Sequence, residues 1–118
     1  MQKHIKLWGS GRALREFLYV DDLAEATLCA LESYSDEKPL NIGSGAEVSI
    51  KDLAELIAQV VGYKGQLVFD AQQPDGTPRK ILDSQVIDYL GWRATTALAD
   101  GLWQSYADFR KRNIEQKM

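Results

Sequence analysis

The sequence predicts an α/β (α+β) domain in which short strands alternate with about four helices. Two short β-favouring runs, His4–Trp8 and Leu40–Ile42, each stop at a Gly-Ser-Gly turn. Between such runs lie stretches with apolar residues at helical spacing, the clearest being Leu53, Leu56, Ile57, Val60 and Val61. The bulk composition agrees: 45% hydrophobic and 26% charged residues over 118 positions are globular values. A chain of this size buries roughly two-thirds of its unfolded surface, so a core can form without disulfides.

Taken in order, residues 4–8 alternate as a strand. Glu16 to Val20 is a second strand candidate, because Phe17, Tyr19 and Val20 favour a pleated surface. Asp22, with Glu25 three residues on, predicts a capped helix start. Leu23, Thr27, Ala30 and Leu31 line one face of that helix, and the polar run Ser33–Pro39 ends it. Leu40–Ile42 reads as a brief strand. Ser49 with Asp52 predicts a capping box for the next helix, which should stop at Gly62. Gln66–Asp70 reads as a strand, and Ser84–Leu90 as a short helix ending at Gly91. A last helix carries Leu98, Leu102, Trp103, Tyr106 and Phe109, with these aromatics expected in the core and Thr95 or Thr96 at its cap.

Charge and cysteine use narrow the function classes. A net charge of −3 argues against a dedicated nucleic-acid binder, though not against a local cationic pocket. One cysteine, Cys29, and one histidine, His4, supply neither a disulfide nor a Cys-rich or His-rich metal site. Cys29 falls within a helix and reads as a small packing residue. With no apolar run of membrane-spanning length and no leader-like start, the expectation is a cytoplasmic chain with no membrane partner.

Two segments carry the functional signal. Pro74-Asp75-Gly76-Thr77-Pro78-Arg79-Lys80 sets two prolines and an Asp-Gly turn before adjacent cations, so Arg79 and Lys80 are presented on a loop of restricted shape. Trp8-Gly9-Ser10-Gly11-Arg12-Ala13-Leu14-Arg15 offers small residues whose amides can cradle an anion, a tryptophan that can stack, and two arginines. Together Arg12, Arg15, Arg79 and Lys80 could serve one diphosphate, an anion suited to arginine forks. The plainer reading is two surface turns with solvated cations. Other patterns point nowhere. Tyr34 to Lys38 has Tyr-x-x-x-Lys spacing but runs into Pro39, and neither Gly-Ser-Gly turn has the third glycine of a dinucleotide loop. The Asp21-Asp22 pair is explained by helix capping.

Arg15-Glu16-Phe17-Leu18-Tyr19-Val20-Asp21-Asp22-Leu23-Ala24 resembles the C-terminal part of extended short-chain dehydrogenases acting on nucleotide sugars. Leu40-Asn41-Ile42-Gly43-Ser44-Gly45, Pro74–Lys80 and Leu82-Asp83 narrow the resemblance to the C-terminal, substrate-binding part of the GDP-L-fucose synthase family, from about Ile5 to Arg112.

That resemblance implies a parent enzyme that epimerises GDP-4-keto-6-deoxy-D-mannose at two carbons and reduces its ketone with NADPH. It implies substrate binding by Trp8, Arg15, Asp75 and Lys80: Arg15 and Lys80 on the diphosphate, Asp75 on hydroxyls, Trp8 on the nucleotide side. Arg12 and Arg79 remain candidates from spacing alone. The family's dinucleotide loop, Ser-Tyr-Lys set and Cys/His acid–base pair have no counterpart here. Residues 1–118 are thus expected to be one substrate-binding domain or fragment, inactive alone. Its implied partners are a GDP-sugar and an N-terminal Rossmann domain that holds the NADP, in a homodimeric parent. Two alternatives stay open: the substrate domain of another nucleotide-sugar epimerase or dehydratase, and a non-catalytic binding or assembly module.

Overall fold

β1 (His4–Trp8) alternates as predicted and pairs in parallel with β4 (Gln66–Asp70), His4 opposite Gln66 and Trp8 opposite Asp70. The computed structural model describes residues 3–117. The other sheet is built from two-residue strands: β3 (Val48–Ser49), β2 (Leu14–Arg15) and β5 (Arg79–Lys80), in the order β3-β2-β5. β2 runs antiparallel to β3 and parallel to β5.

Four helices complete the described residues: α1 (Val20–Ser33), α2 (Ile50–Val61), α3 (Gln85–Tyr89) and α4 (Leu98–Lys117). α2 begins and ends as its sequence predicts. The Ser49 side chain accepts a hydrogen bond from the Asp52 N–H at 3.1 Å, and Gly62 closes the helix in the left-handed region at φ 76°. The core lies under α1 and α3, where Ala26, Ile87 and Trp92 are buried together. Leu18, Cys29, Leu40, Ile42, Leu90 and Ala94 pack around them. Cys29 is therefore a packing residue.

Five local expectations are corrected. Leu40–Ile42 forms no strand, although Leu40 and Ile42 pack on the core: β-favouring residues make a strand only beside a partner that takes their backbone groups. Glu16–Val20 is likewise not a strand, since pairing ends at Arg15 and the helix begins at Val20.

Asp22 does not cap α1. It lies in the first turn, buried, and its carboxylate accepts hydrogen bonds from the Thr96 N–H (2.9 Å) and the hydroxyls of Thr95 (3.3 Å) and Thr96 (3.2 Å). The two threonines are thus drawn to Asp22 and lie before, not at, the cap of α4. Finally, Trp103 and Phe109 are more than half exposed, so helical spacing marks an apolar face of α4 without placing it in the core.

The molecule is a slab of 51 × 42 × 20 Å, with a radius of gyration of 17.2 Å against about 13–14 Å for a compact domain of this length. Its accessible surface, 9082 Å², is roughly 40% more than a folded monomer of 13.2 kDa exposes. Val20, Leu23, Leu28 and Leu31 of α1 are among the large apolar residues in contact with solvent.

Candidate functional site

The two segments singled out in the sequence meet at one edge of the slab. Asp75 joins them: the Ser10 N–H donates to Oδ1 at 2.6 Å and the Ser10 hydroxyl donates to Oδ2 at 2.8 Å. The contact needs Gly9, at φ 87°, because a Cβ there would collide with the Asp75 carboxylate. The Ser10 hydroxyl also accepts from the Arg12 N–H at 3.2 Å. The anion held by this glycine turn is thus a carboxylate of the chain itself. The hydroxyl and then the amide of Ser10 hold the Asp75 carboxyl below its ordinary value, helped by the nearby Arg12 guanidinium.

Past Asp75 the loop crosses Arg15 and becomes β5. A Cβ on Gly76 would lie 3.8 Å from Nη2 of Arg15. The Leu14 N–H donates to the Pro78 carbonyl at 2.8 Å, and from there Leu14 pairs with Arg79 and Arg15 with Lys80. Neighbours in register on parallel strands project to the same face. Arg15 and Lys80 therefore share one face, and Arg79 lies on the other. Arg79 and Lys80 are in a strand, not in the loop proper.

The six candidate residues divide accordingly. Trp8 is 68% exposed at the end of β1, one residue before Gly9 and so beside Asp75. Arg15 is half-buried, with Nη1 donating to the Leu14 carbonyl at 2.7 Å. Lys80 is exposed, and neither it nor Arg15 forms an ion pair among the described residues. Arg79, in contrast, is paired with Glu47. It borders a cleft of ≈ 520 Å³ with Gly43, Ser44, Trp92 and Arg93, where Arg93 is in turn paired with Asp88. Both cations of that cleft are neutralised, and Trp8, Arg15, Asp75 and Lys80 do not line it. Arg12 stands with Asp75. Arg15 and Lys80, which have no carboxylate partner among the described residues, and the exposed indole of Trp8 thus remain at one edge.

The residues present do not fit a dinucleotide cofactor. Each Gly-Ser-Gly turn has an amide already held by a carboxylate, Ser10 by Asp75 and Gly45 by Glu16 at 3.2 Å. The first amides of α2 are also used: Ile50 donates to Ala13 and Lys51 to Gly11. Tyr34 lies past the end of α1, its hydroxyl donating to the Lys38 carbonyl at 2.7 Å, so it forms no helical pair with Lys38. Among the described residues, no cluster of His, Cys, Asp or Glu is placed to hold a metal ion, and no helix is long and apolar enough to cross a membrane.

A family model described as the NAD dependent epimerase/dehydratase family matches residues 1–43. A putative GDP-L-fucose synthase 2 of Arabidopsis thaliana is 50% identical over 113 residues, 96% of this chain and 34% of that protein. The GDP-L-fucose synthase of Escherichia coli (strain K12) is 44% identical over 114 residues, 89% of this chain and 36% of that one. The chain resembles about a third of a GDP-L-fucose synthase.

Its fold agrees with that likeness. A GDP-L-fucose synthetase from Naegleria fowleri, solved with NADP bound, superposes with a TM-score of 0.85 at 25% identity, over 93% of this chain and 35% of that one. A GDP-6-OMe-4-keto-L-xylo-heptose reductase from C. jejuni gives 0.83 at 32% identity, over 93% and 34%. A UDP-glucose 4-epimerase from Thermotoga maritima gives 0.80 at 30% identity, over 92% and 35%. These are extended short-chain dehydrogenases, and the chain has their fold over the matched stretch. It spans about a third of the length of the curated GDP-L-fucose synthases it matches.

The sequence pointed to the glycine turn and the Asp75 loop, and to their cations as one anion site. It gave no sign that Ser10 and Asp75 bind each other, or that Glu16 holds the Gly45 amide. The one available hint lay in Gly9 and Gly43, whose missing side chains make room for those two carboxylates.

Proposed function

We propose that this chain supplies the GDP-sugar recognition edge of an NADPH-dependent 3,5-epimerase-4-reductase that forms GDP-L-fucose. Arg15 and Lys80 hold the diphosphate, Trp8 packs on the nucleotide side, and Asp75 shapes the loop between them and faces the sugar. The NADP and the acid–base groups belong to a Rossmann half carried on sequence outside residues 1–118. What this edge contributes is binding and orientation, which give the reacting ketone a high effective concentration beside groups held elsewhere.

The single observation that carries the reading is the in-register pairing of Arg15 with Lys80, both without carboxylate partners among the described residues, beside the exposed Trp8. The surplus surface supports the remainder. A slab with apolar α1 residues in water is what a domain looks like without the body it packs against. A second reading, the substrate edge of another nucleotide-sugar enzyme, draws on the similarity to the UDP-glucose 4-epimerase. Titrating the chain with GDP, UDP and dTDP while following backbone amides by NMR separates them. The proposal expects GDP to shift the amides of residues 9–15 and 75–80 most strongly. An equal or larger response to UDP favours the second reading, and no response to any nucleotide overturns both.

A further inference from the structure

Strands of two residues do not fix their own register. β2 and β5 share only the pairings Leu14 with Arg79 and Arg15 with Lys80. A slip of one residue would turn Arg15 and Lys80 to opposite faces. Something outside the ladder must hold them.

Glu16 stands where such a lock is needed. It follows Arg15 directly, and its carboxylate accepts the N–H of Leu82 on Oε1 at 2.9 Å and the N–H of Gly45 on Oε2 at 3.2 Å. Leu82 lies two residues past Lys80, so this bond pins the far end of β5 to the far end of β2. Gly45 belongs to the second glycine turn. Gly43 of that turn packs on the same carboxylate so closely that a Cβ there would collide with it. At the near end, Asp75 is pinned to Ser10. Two acceptor-only side chains thus bracket the Arg15–Lys80 pair, one beyond each end of the ladder.

We propose that Glu16 is a positioning residue: its carboxylate locks β5 against β2 and so sets Arg15 and Lys80 side by side for the two phosphates of a nucleoside diphosphate. The proposal rests on the reading of this edge as a diphosphate site. Charge makes it testable. A carboxylate near an anion site repels the anion, so a glutamate acting only as a neighbouring charge weakens binding, and its removal strengthens it. A glutamate acting as a lock has the opposite effect.

Two variants of the chain separate geometry from charge. Glu16→Gln keeps the length but sets an NH₂ group against one of the two N–H donors. Glu16→Asp keeps the charge but is a methylene short of spanning both donors. Each is titrated with GDP by NMR at low ionic strength, and amide hydrogen exchange is read on the same samples. Both are expected to weaken GDP binding about tenfold, and to speed exchange at Leu82 and Gly45 while the Asp52 amide in the cap of α2 stays as in the wild type.

Gly43→Ala, which pushes on the carboxylate without altering it, should speed the same two amides. The proposal is overturned if Glu16→Gln binds GDP as tightly as the wild type or tighter, or if Leu82 and Gly45 exchange at wild-type rates in all three variants. Should the wild type ignore GDP while those two amides are protected only when Glu16 is present, the diphosphate reading fails and the lock stands.

Discussion

Ser10 and Asp75 lie 65 positions apart and are joined twice, the amide to one carboxylate oxygen at 2.6 Å and the hydroxyl to the other at 2.8 Å. The pair turns a glycine-rich segment and a proline-rich loop into one edge. The Ser10 donors hold the Asp75 carboxyl below its ordinary 3.8. A group depressed on folding contributes stability that is present above its unfolded value and lost as pH falls through its folded value. Thermal unfolding followed from pH 7 downward should therefore show wild type above Asp75→Asn at neutral pH, with the gap closing as pH falls below the ordinary carboxylate range. Asp88, held low by Arg93, titrates alike in both proteins and cancels in the comparison.

The Arg15–Lys80 pairing predicts a division among the cations. Arg15→Ala and Lys80→Ala should each weaken GDP binding by roughly 1.5–3 kcal/mol, the range for hydrogen bonds to charged groups. Arg79→Ala, whose guanidinium faces Glu47 on the other side of the ladder, should leave GDP affinity within about twofold of wild type. Calorimetric titration of the three variants checks this. Equal losses in all three would mean that the face assignment is wrong.

How far the sequence carried depended on the range of the interaction. α2 was legible to the residue, because Ser49 with Asp52 at its start, and Gly62 with Ala58 and Gln59 at its end, each act within about one turn. β1, β4 and α3 were legible for the same reason: alternation, spacing and glycine stops are local. Asp22 was misread because a local rule, capping, competed with partners more than 70 positions away. Leu40–Ile42 was misread because a strand needs a neighbour, which propensity does not supply. The site divided the same way. The residue types at Trp8, Arg15, Asp75 and Lys80 stood out, but only the β2–β5 register puts Arg15 with Lys80 and sets Arg79 apart.

The Asp22 network sets a stability prediction. Asp22→Ala leaves the Thr96 N–H and two hydroxyls without their acceptor in a part-buried place, and should cost about 2–4 kcal/mol in urea denaturation. Asp22→Asn, which keeps the shape and one acceptor oxygen, should cost less.

Ser49→Ala removes one local cap bond from α2 and should cost about 1 kcal/mol, read from the same denaturation curves. Gly at this position should cost less than Ala, as is usual for a helix N-cap.

The slab of 20 Å thickness has a calorimetric consequence. The rise in heat capacity on unfolding, and the steepness of a urea transition, both follow the area newly exposed to water. A chain that leaves so much of itself wet when folded has little more to expose. Its melting should be broad and shallow for its length, and covering the apolar side of α1 should sharpen it.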